Sequence, residues 1–170
     1  ELNQIENPIL IGHSFGCRIS LLYAYKYPVN KMVLTGAAGV MAKHDLEWYL
    51  RVYSYKAGKI LLKPFKGLSA KLRQNVGSSD YKNASEIMKQ ILVKTVNFDI
   101  SPYLKDIKPE TLLVFGENDE ATPLWMGKKM EKEMPDATLV VFEGDDHFAY
   151  FHQPDRFCRV LDAFLRRDYE

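Results

Sequence analysis

The sequence has no surplus of either charge. Its 23 Lys and Arg residues stand against 22 Asp and Glu, for a formal net charge of +1. That balance lacks the basic footprint of a nucleic-acid binder or of a protein drawn to an anionic membrane. Long apolar runs are missing too: none approaches the roughly 20 residues of a membrane-spanning helix, so no membrane span is expected. Cysteine is scarce, with only Cys17 and Cys158, too few for a disulfide framework. Two free thiols suit a reducing compartment, and a cytoplasmic location is expected. There is no internal repeat, no low-complexity segment and no visible signal peptide. What remains is ordinary for a globular domain: 170 residues, 46% hydrophobic and 26% charged, enough for a real core.

The chain is organised around Asn7 to Ile19. An apolar run, Ile9-Leu10-Ile11, breaks into Gly12-His13-Ser14-Phe15-Gly16 and then into a helical pattern. This is a G-x-S-x-G sequence, with Ser14 at a sharp strand-to-helix turn. The two glycines are expected to be small because strand and helix pass close to them. A serine hydroxyl is a weak nucleophile unless a base takes its proton, so the pattern requires a histidine, and a carboxylate to orient it, further along. Both are present. Asp119 follows the apolar run Thr111–Phe115, and His147 follows the run Thr138–Phe142. His13, His44 and His152 compete with His147, and Glu117, Glu120, Asp145 and Asp146 compete with Asp119. Position just past a strand end favours His147, while among the carboxylates position alone leaves the choice open. Asp145 and Asp146 suit solvent or loop hydrogen bonds better.

At these residues the chain resembles the α/β-hydrolase family: Asn7 to Pro28 its nucleophile strand, elbow and following helix, Glu110 to Pro123 its acid loop, and Asp145 to Phe157 its histidine loop and last helix. The resemblance implies an α/β fold, a partial parallel sheet flanked by helices with an inserted helical cap. Residues 1–39 and 108–170 would form the core and residues 40–107 the cap. It implies a serine hydrolase acting on a carboxylic ester or related acyl bond, with Ser14, His147 and Asp119 as the triad and an acyl-enzyme as intermediate. The Phe15 N–H would be one oxyanion donor, and His13 would line the site. The same residues also serve carbon–carbon bond hydrolysis of a diketone. A non-catalytic binding protein on a hydrolase scaffold is the competing class. The partner is a small acyl substrate, and neither a metal nor a cofactor is implied. The family also places several strands, and a second oxyanion donor, ahead of its elbow. The chain therefore reads as the C-terminal part of a hydrolase, with an N-terminal segment or a second copy pairing along the edge of the nucleophile strand, and its activity is expected to need that N-terminal half.

The remaining pattern is coarser. A helix is expected over Phe15–Tyr27, stopped by Pro28, with Ile19, Leu22 and Tyr23 against the sheet. Lys31–Thr35 reads as a buried strand. Gly36-Ala37-Ala38-Gly39 either lets a substrate approach the backbone or forms a plain turn. From Val40 to Lys108 strand signals give way to helical ones, with Asn83 and Glu86 as a capping pair for a helix carrying Ile87, Met88, Ile91 and Leu92. Trp48 and Tyr53, in an aromatic-rich stretch, are candidates for an apolar pocket wall, although most rings there suit internal packing. Thr122-Pro123 would cap and open the next helix, Ala137–Phe142 is the last strand, and Pro154 opens a closing helix whose apolar face is Phe157, Val160, Leu161, Phe164 and Leu165.

Overall fold

The computed structural model describes residues 5–41, 50, 54 and 84–166. The chain divides into two compact units, residues 1–41 with 99–170, and residues 42–98.

The larger unit is built on four parallel strands: β1 (Leu10–His13), β2 (Lys31–Thr35), β3 (Glu110–Gly116) and β4 (Ala137–Phe142), side by side in chain order. The register pairs Ile11 with Val33, Val33 with Leu112 and Leu113 with Leu139. Parallel strands need covered crossovers, and the helices supply them. They are α1 (Phe15–Lys26), α3 (Leu124–Glu133), the single turn α4 (Ala149–His152) and α5 (Pro154–Arg166).

Side chains alternate across a strand, so β2 and β3 feed two cores. Met32, Leu34, Leu113 and Phe115 lie on one face with Cys17, Leu21 and Met130. Val33, Leu112 and Val114 lie on the other with Phe142 and Phe164. Every residue of β2 is buried, and the continuous apolar run expected of a doubly covered strand is what the sequence carries. The apolar face expected of the closing helix is present: Phe157, Val160, Leu161, Phe164 and Leu165 all pack in the second core.

Two expectations are corrected. Ile19 and Tyr23 of α1 do not pack on the sheet; they are exposed, and the buried residues of α1 are Cys17, Arg18 and Leu21. The sequence offers apolar residues on two sides of this helix, and only the sheet decides which side is covered. Ile100, Leu104 and Ile107, read from sequence as part of the cap, are fully buried in the main core on a 3₁₀ turn, Ser101–Asp106. The main unit therefore resumes near Asp99. In the smaller unit, the N-cap of α2 (Glu86–Val96) is Ser85, whose hydroxyl accepts from the Met88 N–H at 3.3 Å, whereas Asn83 of the expected pair lies outside the described residues. Ile87, Met88 and Ile91 of α2 are exposed.

Strand β1 lies at the sheet edge among the described strands, and Ile9 and Ile11 are exposed there. At the opposite end of the sheet from the elbow, Lys31 is buried. Its ammonium pairs with Glu110 Oε2 at 2.9 Å, donates to the Phe164 carbonyl at 3.1 Å and lies over the Phe164 ring. This ties β2 and β3 to the end of α5. Replacing a buried charge with nothing leaves its partners desolvated and unmatched. Lys31→Ala should lower unfolding free energy by about 3 kcal/mol in urea titrations.

Candidate functional site

The elbow forms where β1 passes into α1. Ser14 has φ 51° and ψ −113°, a left-handed φ that costs a non-glycine residue on the order of 1–3 kcal/mol. Three backbone bonds hold it there. Its N–H donates to the Thr35 carbonyl at 2.9 Å, and its carbonyl accepts from Cys17 and Ala38, each at 3.2 Å. Gly12 is required for space, since a Cβ there would stand 3.1 Å from the Cys17 nitrogen. Gly16 is not: a Cβ there meets nothing within 4 Å, so the expectation that both motif glycines relieve crowding is corrected. Gly16 sits on the uncrowded side of the first turn of α1. The Phe15 N–H, at the first position of α1, makes no hydrogen bond among the described residues. The Ser14 hydroxyl likewise makes none there, and none joins it to His147.

Asp119 lies in the loop after β3 and is almost fully buried. One carboxylate oxygen accepts from the backbone N–H groups of Ala121 and Thr122 at 2.9 and 2.8 Å. The other accepts from the Thr122 hydroxyl and from His147 Nδ1, both at 2.7 Å. Burial pushes the Asp119 carboxyl upward, but the hydrogen bonds from His147 and Thr122 outweigh it and hold the group below its usual range. Because a carboxylate only accepts, the bond places a proton on His147 Nδ1 and leaves Nε2 of the neutral ring as the basic nitrogen. The Thr122 hydroxyl, 3.2 Å from Nδ1, has its proton on Asp119. Thr122 was expected to cap α3; its side chain serves the carboxylate instead, and α3 has no side-chain cap.

Two glycines missed as site residues make room for the histidine loop. Gly36, the first residue past β2, has φ +50°, and a Cβ there would stand 2.9 Å from His147 Cε1 and Nδ1 and 3.3 Å from Asp119 Oδ2. Of the two readings left open for Gly36 to Gly39, space for the imidazole is what Gly36 provides. Gly116, the last residue of β3, lies under the loop; a Cβ would be 2.0 Å from the Asp146 carbonyl oxygen. The signal available in sequence was a glycine directly after each of the runs Lys31–Thr35 and Thr111–Phe115. The loop is also tied to the acid loop by the Asn118 N–H on the Asp145 carbonyl at 2.8 Å, and Asp145 is held by Gln153 and His152. Asp146 accepts from the Phe148 N–H. Both aspartates thus serve the loop, and neither touches the His147 ring.

His13 lies beside His147, ring centroids 4.7 Å apart, with Phe148 and Tyr150 at 5.4 and 5.0 Å from His13. Trp48 and Tyr53 lie outside the described residues. His152 is turned to Asp145 and Asp146. No group of three or more His, Cys, Asp or Glu side chains suited to a metal occurs among the described residues, and no described helix is long and apolar enough to cross a membrane. Cys17 is buried with its thiol pushed up to about 12, chiefly by burial, so it is not a competing nucleophile.

The profile described as "Alpha/beta hydrolase family" matches residues 2–160. The chain belongs to this family. The 2-hydroxy-6-oxo-6-phenylhexa-2,4-dienoate hydrolase of Comamonas testosteroni is 30% identical over 184 residues, covering 96% of this chain and 64% of that protein. The chain thus spans a little under two thirds of that relative's length. Among solved structures, a meta-cleavage product hydrolase from Pseudomonas fluorescens IP01 superposes with a TM-score of 0.65 at 22% identity, over 98% of this chain and 67% of that one. An esterase from Exiguobacterium antarcticum gives 0.67 at 21% identity, over 97% and 69%. At these identities the two structures speak for the fold alone.

Two outcomes follow. Gly36→Ala adds both a strained φ and an overlap with the imidazole. It should reduce turnover by about 10²-fold, the scale of an ångström's misplacement, while the protein still unfolds cooperatively. Asp119 has a depressed pKa, so its contribution to stability is full above its ordinary value of 3.8 and is lost as pH falls through the lower folded value. Urea midpoints measured from pH 5 downward should therefore fall less steeply in Asp119→Asn than in the unaltered chain.

Proposed function

We propose that these residues form the reacting centre of a hydrolase that cleaves a carbon–carbon bond beside a ketone, in a substrate of the 2-hydroxy-6-oxo-dienoate class. The reading rests on the 2.7 Å bond from His147 Nδ1 to Asp119, at the same end of the sheet as the Ser14 elbow. The kind of bond cleaved is taken from the relative that is 30% identical over 96% of the chain.

In this reading, a modest movement brings His147 Nε2 onto the Ser14 hydroxyl, as catalytic contacts often tighten only around substrate. Nε2 takes the Ser14 proton as Oγ attacks the ketone carbon. The oxyanion that develops faces the Phe15 N–H at the start of α1. Collapse of the adduct breaks the adjacent carbon–carbon bond. Its electron pair has somewhere to go because the 2-hydroxydienoate first ketonises, the enol proton moving to the carbon beside the 6-ketone. The bond then breaks at a saturated carbon, its electrons run through the remaining double bond to the 2-oxo group, and that oxygen receives the proton held by His147. Water, deprotonated by the same nitrogen, then releases the acyl group from Ser14 as a carboxylic acid. Asp119 fixes the tautomer throughout and stabilises the charged ring.

The same residues serve a carboxylic ester, whose leaving group is an alkoxide in place of a carbanion. That is the second reading, supported by the elbow geometry, which does not depend on the leaving group. For the outer edge of β1, where Ile9 and Ile11 are exposed, we propose pairing with a further strand, from an additional N-terminal hydrolase segment or from a second copy. The two free cysteines, one buried and one exposed, favour a reducing cytoplasm.

A fluorophosphonate probe should label the chain and fail to label Ser14→Ala. The chain should consume 2-hydroxy-6-oxo-6-phenylhexa-2,4-dienoate with kcat/KM at least about tenfold above that for nitrophenyl acetate, and Ser14→Ala should lose about 10⁴-fold or more on both. The reverse preference makes it an esterase. No labelling and no turnover on either substrate, with the N-terminal hydrolase segment supplied, would remove the enzymatic reading in favour of a binding protein.

A further inference from the structure

Asp119 Oδ2, the oxygen that orients His147, serves two donors. It accepts from His147 Nδ1 and from the Thr122 hydroxyl, each at 2.7 Å. Oδ1 accepts from the N–H groups of Ala121 and Thr122 at 2.9 and 2.8 Å. A carboxylate has about four lone-pair sites, two on each oxygen, so all are taken. The Asp119 side chain is fully buried, and Thr122 is buried with it. Gly36 closes a further side of Oδ2, since a Cβ there would stand 3.3 Å from it. Among the described residues nothing is placed to replace the hydroxyl.

The hydroxyl is not what holds the carboxylate in place. The two N–H groups on Oδ1 do that, and one of them is Thr122's own. It does not cap α3 either, which has no side-chain cap. What it adds is a second proton facing the atom to which His147 is bound. Such a donor is held most tightly when the carboxylate carries its full charge, which is when the ring beside it is neutral. A charged ring draws on the same oxygen, and the hydroxyl's bond weakens. The Thr122 hydroxyl therefore favours the neutral ring. Oγ1 also lies 3.2 Å from Nδ1, but the Nδ1 proton is committed to Oδ2 at 2.7 Å. The longer contact, to an uncharged oxygen, is the weaker effect.

We propose that Thr122 is a positioning residue that tunes His147 as a base: its hydroxyl, by sharing Asp119 Oδ2, keeps Asp119 from holding the second proton on the imidazole too strongly. Given the function proposed above, on which this rests, His147 is the base for Ser14. A general base must be neutral to accept a proton, so a carboxylate that pulled harder would orient the ring and disarm it. The titratable groups that face the His147 ring among the described residues are Asp119, from the loop after β3, and His13, from the end of β1. Asp145 and Asp146 of its own loop are turned to Gln153 and His152. A change at Thr122 reaches the ring through Asp119 and leaves those other groups as they are.

The test follows the His147 ring as pH is varied, by nitrogen chemical shifts of isotope-labelled histidine assigned through their loss in His147→Gln. Thr122→Val keeps the shape and the N–H but deletes the hydroxyl. Its His147 ring should stay charged to a pH about half a unit higher than in the unaltered chain. Thr122→Ala deletes the same hydroxyl with a different change of shape and should move the ring the same way. Thr122→Ser, which keeps the hydroxyl, should restore the original midpoint. In an Asp119→Asn background Thr122→Val should move nothing, because the carboxylate that carries the effect is gone. No rise in Thr122→Val and Thr122→Ala, an equal rise in Thr122→Ser, or the same rise without the Asp119 carboxylate overturns the proposal. Each of these leaves the hydrolase reading intact, since fluorophosphonate labelling of Ser14 tests that separately. Absence of labelling, with the N-terminal hydrolase segment supplied, removes the base itself, and the role assigned to Thr122 falls with it.

Discussion

The site depends on one hydrogen bond, from His147 Nδ1 to Asp119 Oδ2. It joins two loops that leave adjacent strands, and much of the surrounding sequence makes the bond possible. The Asp119 carboxylate is buried, which by itself favours the protonated form. The hydrogen bond from His147, joined by those from the Thr122 N–H and hydroxyl, reverses that preference, so the group stays charged where its partner needs it. A lone buried carboxylate would take up a proton and cease to orient anything.

The fold delivers the partners through the parallel sheet. In such a sheet every strand ends on the same side, and loops from neighbouring strands meet there. β1 brings Ser14 and His13, β2 brings Thr35 and Gly36, β3 brings Gly116 and Asp119, and β4 leads to His147. Space for the meeting is provided by omission of side chains. Gly36 leaves room for the imidazole, and Gly116 leaves room for the carbonyls of Asp145 and Asp146. Rigidity comes from the doubly covered core beneath, where Leu34, Leu113 and Phe115 face one layer of helices and Val33 and Val114 the other. The strained elbow is tolerated because its amide and carbonyl are tied to β2 and to the residues just past it.

Much of this was readable in the chain. The strands β2 and β4 fall on the residues expected, because continuous apolar runs bounded by turn residues have few other uses. Ser14, Asp119 and His147 stood out because each follows an apolar run within a few residues. Other features were not readable because they depend on which surface meets which. Ile19 and Tyr23 look like core residues of α1 and are exposed, since Leu21 and Cys17 took the sheet-facing side. Thr122 has the form of a helix cap, and only the proximity of Asp119 gave its hydroxyl a stronger acceptor.

The sequence by itself determined the parallel α/β layout, the position of the elbow and the chain order of serine, aspartate and histidine, because these follow from local periodicity and turn chemistry. The tertiary structure alone decided that Gly36 and not Gly16 relieves crowding, that Ile100 to Ile107 join the main core, and that His13 stands against His147. Those outcomes come from distances between residues far apart in the chain, which no local pattern encodes.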